Sequence, residues 1–209
     1  MTNRIEKKLL EDVVIFKKDG EVRTGAQSLA PDHSPRDAHK TKPVMHAAVG
    51  ASAELQSLAE QFLYYQAELL DSKNWRDYID LFADDGTYWM PARPDQVEWT
   101  DSASIFAEDR RLMEVRAGRV THPNAWSQAP HWGTSHLISN VVIEDASSTG
   151  IVVRSRFQVT EIRRDDIRHF AGSYRHTLRR NAHELKIVLQ RVDLLNAQAP
   201  FDYTIQAWV

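Results

Sequence analysis

His131 and His136 stand at the H-x4-H spacing of a mononuclear iron motif. An iron site of that kind needs two imidazoles and a carboxylate converging on one metal. Pro130 and Gly133 disfavour the helix that would gather them. On a strand, residues five apart point to opposite faces, and no carboxylate stands within eight residues upstream. No metal ligand is assigned here. A second set, Asp84, Asp85, Tyr88 and His136, could give a base and an orienting donor for acid–base chemistry in a cavity. Against it, Asp84-Asp85-Gly86 reads as a turn, where Asp serves the backbone, and Tyr88 belongs to an aromatic run that reads as core or interface. His33, His39 and His46 match no metal spacing and read as exposed polar residues. Catalytic, cofactor-binding and metal residues are therefore all assigned as none. Cysteine is absent, which excludes disulfides, thiolate nucleophiles, cysteine-ligated zinc and any iron–sulfur cluster held by this chain alone.

Tryptophan and arginine suggest contact rather than catalysis. There are six tryptophans; Trp126 and Trp132 flank a proline-containing loop and could be surface anchors, since Trp and Arg dominate binding hot spots. Arg154, Arg156, Arg163, Arg164, Arg175, Arg179 and Arg180 sit in strand-like segments. On an exposed sheet face such a row is either solvated or meets acidic groups of a partner. Arg110, Arg111 and Arg116 read as a solvated helix face.

The elements carrying these residues can be read from periodicity. Residues 1–16 have helical spacing (Leu9, Leu10, Val13, Val14), and glycines and prolines between Lys17 and Ala53 leave no period, as in a linker or arm. Leu55, Leu58, Ala59, Phe62, Tyr65, Leu69 and Leu70 form one helical stripe, with Asp71 or Ser72 capping a second helix that carries Trp75, Tyr78, Ile79 and Phe82. Thr87 to Met90 is a short strand closed by Pro91. A third helix is expected from about Ser104 to Ala117, ended by Gly118. The period then changes to two. Strands are expected over 135–144, 151–159, 167–180 and 185–194, with turns at 147–150 and 181–184 and an edge strand or arm over 203–209. Helices followed by long antiparallel strands indicate an α+β domain, helices on one face of a curved sheet.

Composition agrees. In 209 residues, 42% are hydrophobic and 26% charged, as in a globular chain. The net charge of −3 argues against a nucleic-acid binder. No apolar run is long enough to cross a membrane and no secretory signal is evident, so the cytoplasm is expected.

Several segments resemble one family together: Ala67-Glu68-Leu69-Leu70-Asp71, the Tyr88-Trp89-Met90-Pro91-x-Arg93 strand, the Trp126-Ser127-x-x-Pro130 loop, the His136-Leu137-Ile138-Ser139-Asn140-Val141 strand and Leu178-Arg179-Arg180. In this order they are similar to the small (β) subunits of Rieske-type aromatic-ring-hydroxylating dioxygenases, over roughly residues 54–209. The departures are about fifty residues ahead of the first shared helix, and His131-Trp132-Gly133 where many members have Ser-Arg-Thr-like residues. The resemblance implies a cone of the nuclear transport factor 2-like type. It implies a non-catalytic, structural subunit in an α3β3 hexamer with β–β trimer contacts. It further implies that the Rieske two-iron two-sulfur cluster and the mononuclear iron belong to the α subunit, and that a reductase, with or without a ferredoxin, delivers nicotinamide-derived electrons for cis-dihydroxylation of an aromatic ring. Residues 1–50 are then an extension and 51–209 the domain, and Arg93, Trp126, Trp132, Arg156, Arg175 and Arg180 are candidate subunit contacts. The alternative is a stand-alone dehydratase or isomerase, or a small-ligand-binding cone.

Overall fold

The computed structural model describes residues 14–16, 22–24, 52–100, 102–125, 132–181, 184–199, 205–206 and 208–209. The chain divides into two compact units, Met1–Met45 and His46–Val209. In the first, β1 (Val14–Phe16) and β2 (Val22–Thr24) pair antiparallel, Ile15 opposite Arg23. This corrects the helical reading at residues 14–16 and the linker reading at 22–24. The β-branched and aromatic residues Val14, Ile15 and Phe16 suit a pleated strand, and a few apolar positions at helical spacing did not outweigh that.

The second unit opens with α1 (Ala53–Asp71). Ser52 caps it, its hydroxyl accepting the Leu55 N–H at 3.2 Å. The buried face is Leu55, Ala59, Leu63, Gln66 and Leu70; Leu58 and Tyr65, expected on it, are exposed. The helix ends in a Schellman turn: Lys73 N–H donates to Leu70 O, and Asn74 N–H to Leu69 O. Lys73 takes the left-handed conformation (φ 59°) that glycine usually fills. Asn74, rather than Asp71 or Ser72, caps α2 (Trp75–Asp80).

Six strands form one mixed sheet in the order β4-β3-β8-β7-β6-β5: β3 (Phe82–Pro91), β4 (Ser104–Asp109), β5 (Trp132–Ala146), β6 (Gly150–Arg163), β7 (Asp166–Asn181) and β8 (Glu184–Leu194). Every pair is antiparallel except β3 with β8. α3 (Arg110–Val120) follows β4 directly, capped by Asp109, whose carboxylate accepts the Leu112 N–H at 2.8 Å.

Three expectations are corrected. Asp84-Asp85-Gly86 is no turn but lies inside β3, where the register against β8 shifts between Phe82 and Thr87. A Cβ on Gly86 would stand 2.6 Å from the Ile187 carbonyl oxygen, so this bulge needs a residue without one. Residues 104–109 are strand, because Phe106 pairs with Met90 and Glu108 with Tyr88; Gly118 lies within α3, not after it. At the C-terminal end, Ile205, Trp208 and Val209 are buried and the described residues 205, 206, 208 and 209 form no strand. Trp208 contributes to an aromatic cluster with Trp75 and Tyr78 at the centre of the core between helices and sheet.

Candidate partner interface

Strand alternation sorts the side chains of β5 to β8 into two faces. Ile151, Val153, Ser155, Phe157 and Val159 of β6 are buried toward the helices; Arg154, Arg156, Gln158, Thr160 and Ile162 point outward. Across this outer face Arg154 stands opposite Arg175, and Arg175 opposite Arg191. Like charges directly opposite repel, and two carboxylates relieve that. Glu144 accepts from Arg154 Nε at 2.9 Å and from Arg175 Nε at 3.0 Å. Asp193 accepts from Arg191, whose guanidinium also donates to the carbonyls of Gln96 and Pro94 and lies 4.6 Å from the Trp89 ring centroid. Further along, Arg179 makes a two-pronged pair with Asp85 (2.9 and 2.8 Å), which holds that carboxyl below its usual pKa.

Arg156 is exposed on the same face, its register neighbours being Ser139 and Ser173. It lines a cleft of about 520 Å³ together with Arg93, Ser173 and Asp193. The structure therefore brings together Arg93 and Arg156, which the sequence placed far apart, while Arg175 lies on the same sheet face opposite Arg154. Arg180 is exposed but lies, by alternation, on the opposite face from Arg175. Trp126 falls outside the described residues. Trp132 is not a surface anchor: it is 6% exposed and stacked on Trp75 (centroids 6.1 Å, 11° between planes). Lys73 and Arg163 lie over its ring. As the first residue of β5 it falls on the inward side of the alternation.

The sequence reading missed the apolar part of the face. Leu137 and Ile167 are each 61% exposed and Ile162 40%, and the registers Leu137–Gln158 and Ile162–Ile167 put all three outward. Apolar residues at alternate positions of a strand whose other face was already core were the available signal. Arg116 was misread in the other direction. It is largely buried, donates to Glu108 at 3.1 Å and lies over Phe106 and Trp208. Arg110 reaches Asp80 and the Phe82 carbonyl.

The residues considered for chemistry are arranged otherwise than expected. Asp84 and Asp85 are exposed. Tyr88 is buried, its hydroxyl donating to the Val209 carbonyl at 3.2 Å, and burial holds its phenol well above the ordinary pKa. His136 meets Asp71, from the end of α1: Nδ1 lies 2.6 Å from one carboxylate oxygen and the His136 N–H donates to the other at 2.9 Å. Thr134 adds a third bond at 2.9 Å. Burial raises Asp71, but the hydrogen bonds and charge of His136 outweigh it and leave the carboxyl below its usual value. His176 Nε2 lies 3.0 Å from Gln66 Oε1, and burial pushes its pKa down to about 3. Tyr78 donates to Gln190 at 3.1 Å. Among the described residues no three His, Asp or Glu side chains converge as a metal site; His131 lies outside them.

A six-stranded mixed sheet closed over N-terminal helices, its outer face mixing guanidinium groups with exposed aliphatics, defines an α+β cone of the nuclear transport factor 2-like class. The chain belongs to the ring-hydroxylating beta-subunit family, whose model matches residues 65–200. It is 36% identical over 147 residues to the beta subunit of benzene 1,2-dioxygenase of Pseudomonas putida, covering 63% of this chain and 75% of that one. It is 33% identical over 182 residues to the beta subunit of biphenyl 2,3-dioxygenase of Rhodococcus jostii, covering 79% and 91%. The crystal structure of the beta subunit of benzoate 1,2-dioxygenase from Burkholderia mallei superposes with a TM-score of 0.59 at 27% identity, over 75% of this chain and 99% of that one.

Proposed function

We propose that this chain is the non-catalytic, structural subunit of a terminal oxygenase, and that a large partner subunit holds the redox centres. The observation that carries this reading is the beta-subunit family match across residues 65–200. The absence of cysteine from the sequence supports the same division, because a Rieske cluster takes two thiolates. The holoenzyme inserts both atoms of dioxygen into an aromatic ring, giving a cis-dihydrodiol, with electrons from NAD(P)H arriving through a reductase, with or without a ferredoxin. Its assembly is three large and three small chains in the cytoplasm. Residues 51–209 are the assembling domain and 1–50 an extension from it.

The outer sheet face is the contact surface in this reading. Leu137, Ile162 and Ile167 supply apolar area, and the cleft shared by Arg93 and Arg156 takes an acidic group of the neighbouring chain. Exposed apolar area beside arginine is the composition of protein interfaces. Arg175 and Arg180 remain candidate contacts on opposite faces.

Co-expression with a ring-hydroxylating large subunit, followed by sizing and iron analysis, tests the proposal. The two chains should elute together with iron, and this chain alone should elute iron-free. Stoichiometric iron on the isolated chain, with turnover of an arene, would overturn it.

A further inference from the structure

The two edges of the sheet are finished differently. β4 and β5 are its outermost strands, and an edge strand presents a row of unpaired N–H and C=O groups. Along β5 that row is served by α1 and the turn after it. The Asp71 carboxylate accepts the His136 N–H at 2.9 Å, Gln56 Nε2 donates to the Val141 carbonyl at 3.0 Å, and Lys73 Nζ donates to the Trp132 carbonyl at 2.5 Å. β4 has no such cover. It pairs with β3 on one side, Phe106 opposite Met90 and Glu108 opposite Tyr88. On its other side, among the described residues, nothing hydrogen-bonds the backbone of Ile105, Phe106, Ala107 or Glu108.

That free edge is one wall of a cleft of about 940 Å³, lined by all four of these consecutive residues. Alternation puts Phe106 and Glu108 on one sheet face and Ile105 and Ala107 on the other. A cleft that touches all four therefore runs along the edge of the strand and not over a face. α3 is the second wall, where Leu112, Val115, Arg116 and Arg119 recur at the i, i+3, i+4, i+7 spacing of one helix face. Leu112 and Val115 are 50% and 55% exposed. Arg116 is engaged by Glu108 and the Phe106 ring, whereas Arg119 stands exposed at the rim and gives it a positive charge. β4 has six residues and α3 eleven, so the two walls are roughly 20 Å and 16 Å long. That is the span of about five extended residues.

A row of backbone donors and acceptors is matched in period by another backbone, so the cleft suits an extended peptide. A second copy of this chain fits it poorly. α3 follows β4 directly and stands beside its edge, and a second β4 would bring its own α3 into the same space. We propose that the cleft takes an extended, acidic segment of the large partner subunit, which adds a strand to the sheet along β4. Main-chain hydrogen bonds to β4 hold the segment, apolar side chains at alternate positions cover Leu112 and Val115, and a carboxylate meets Arg119. The identity of the partner rests on the function proposed above, and this contact is additional to the outer sheet face.

Large and small chains, co-expressed and purified as the iron-containing assembly, are imaged by electron cryomicroscopy. Association is then compared for wild type, Val115→Glu and Arg119→Glu. Both side chains are exposed, so the variants should melt within a few degrees of wild type. Expected are a strand of the large subunit hydrogen-bonded along Ile105 to Glu108, with an acidic side chain at Arg119, and about tenfold weaker association in each variant, because a new carboxylate is set against apolar groups or against another carboxylate. An iron-bearing assembly whose cleft is open to solvent, or is filled by a second small chain or by a segment of this same chain, would overturn the proposal and leave the subunit reading intact. Wild-type association in both variants would do the same. Chains that do not associate at all would overturn both.

Discussion

Replacing Asp71 with alanine tests how the end of α1 is tied to β5. The carboxylate accepts three hydrogen bonds, from Thr134 Oγ1, His136 N and His136 Nδ1. Bonds to a charged acceptor contribute roughly 1.5–3 kcal/mol each. The Asp71 side chain is 27% exposed, so water recovers part of that, and a figure of about 1 kcal/mol per bond is appropriate. A negative charge near a helix C-terminus subtracts about 0.5 kcal/mol. Asp71→Ala should therefore cost about 2.5 kcal/mol at neutral pH, on the order of 5–10 °C in thermal midpoint for a domain of this size. The pH dependence has a definite sign. The folded pKa of Asp71 lies below its ordinary value, so its contribution is complete above the unfolded carboxylate value of about 3.9 and is lost as pH falls through the folded one. His176 destabilises in acid too, but it is present in both proteins and cancels in the difference. Urea denaturation followed by tryptophan fluorescence, at neutral pH and again near pH 3, measures the gap between wild type and variant. A gap under about 1 kcal/mol at neutral pH, or one that fails to narrow in acid, would refute the reasoning.

Two glycines should respond oppositely to alanine. Gly86→Ala drives a Cβ to within 2.6 Å of a backbone oxygen and should cost more than about 2 kcal/mol. Gly118→Ala meets nothing within 4 Å inside α3 and should gain about 0.5–1 kcal/mol; thermal melts of the two variants check both. The His176 ring, its pKa lowered to about 3 by burial, should stay neutral from pH 5 to 8. Since the unfolded state binds this proton between about pH 3 and 6.5, stability should rise with pH across that window, and nitrogen NMR of labelled histidine shows whether the ring titrates there. Arg156→Glu, on an exposed side chain, should leave the melting temperature within a few degrees of wild type while lowering the large subunit's affinity at least tenfold, read by sizing of co-expressed chains.

Of the four long strands β6 was the most legible, because it alternates apolar and polar residues: Val153, Ser155, Phe157 and Val159 inward, Arg154, Arg156 and Gln158 outward. The first helix was legible from its stripe, though Leu58 and Tyr65 face solvent while Leu63 and Gln66 face the core. An apolar count does not say which flank of a stripe meets the sheet. The reading failed where a partner distant in sequence overrides local preference. Residues 104–109 look helical alone and are strand because β3 offers an edge to pair with. Arg116 looks solvated until Glu108 and Trp208 close over it.

Composition and order of types by themselves settled that this chain lacks the thiolates for an iron–sulfur cluster, that it is an α+β domain, and to which family its strand motifs point. Those properties are additive along the chain or periodic within one element, so no fold is needed to read them. Only the tertiary structure put Asp71 against His136, 65 residues away, joined Arg93 and Arg156 in one cleft, and drew Trp132 inward. Each depends on strand register, and a shift of one residue would turn every such side chain to the other face.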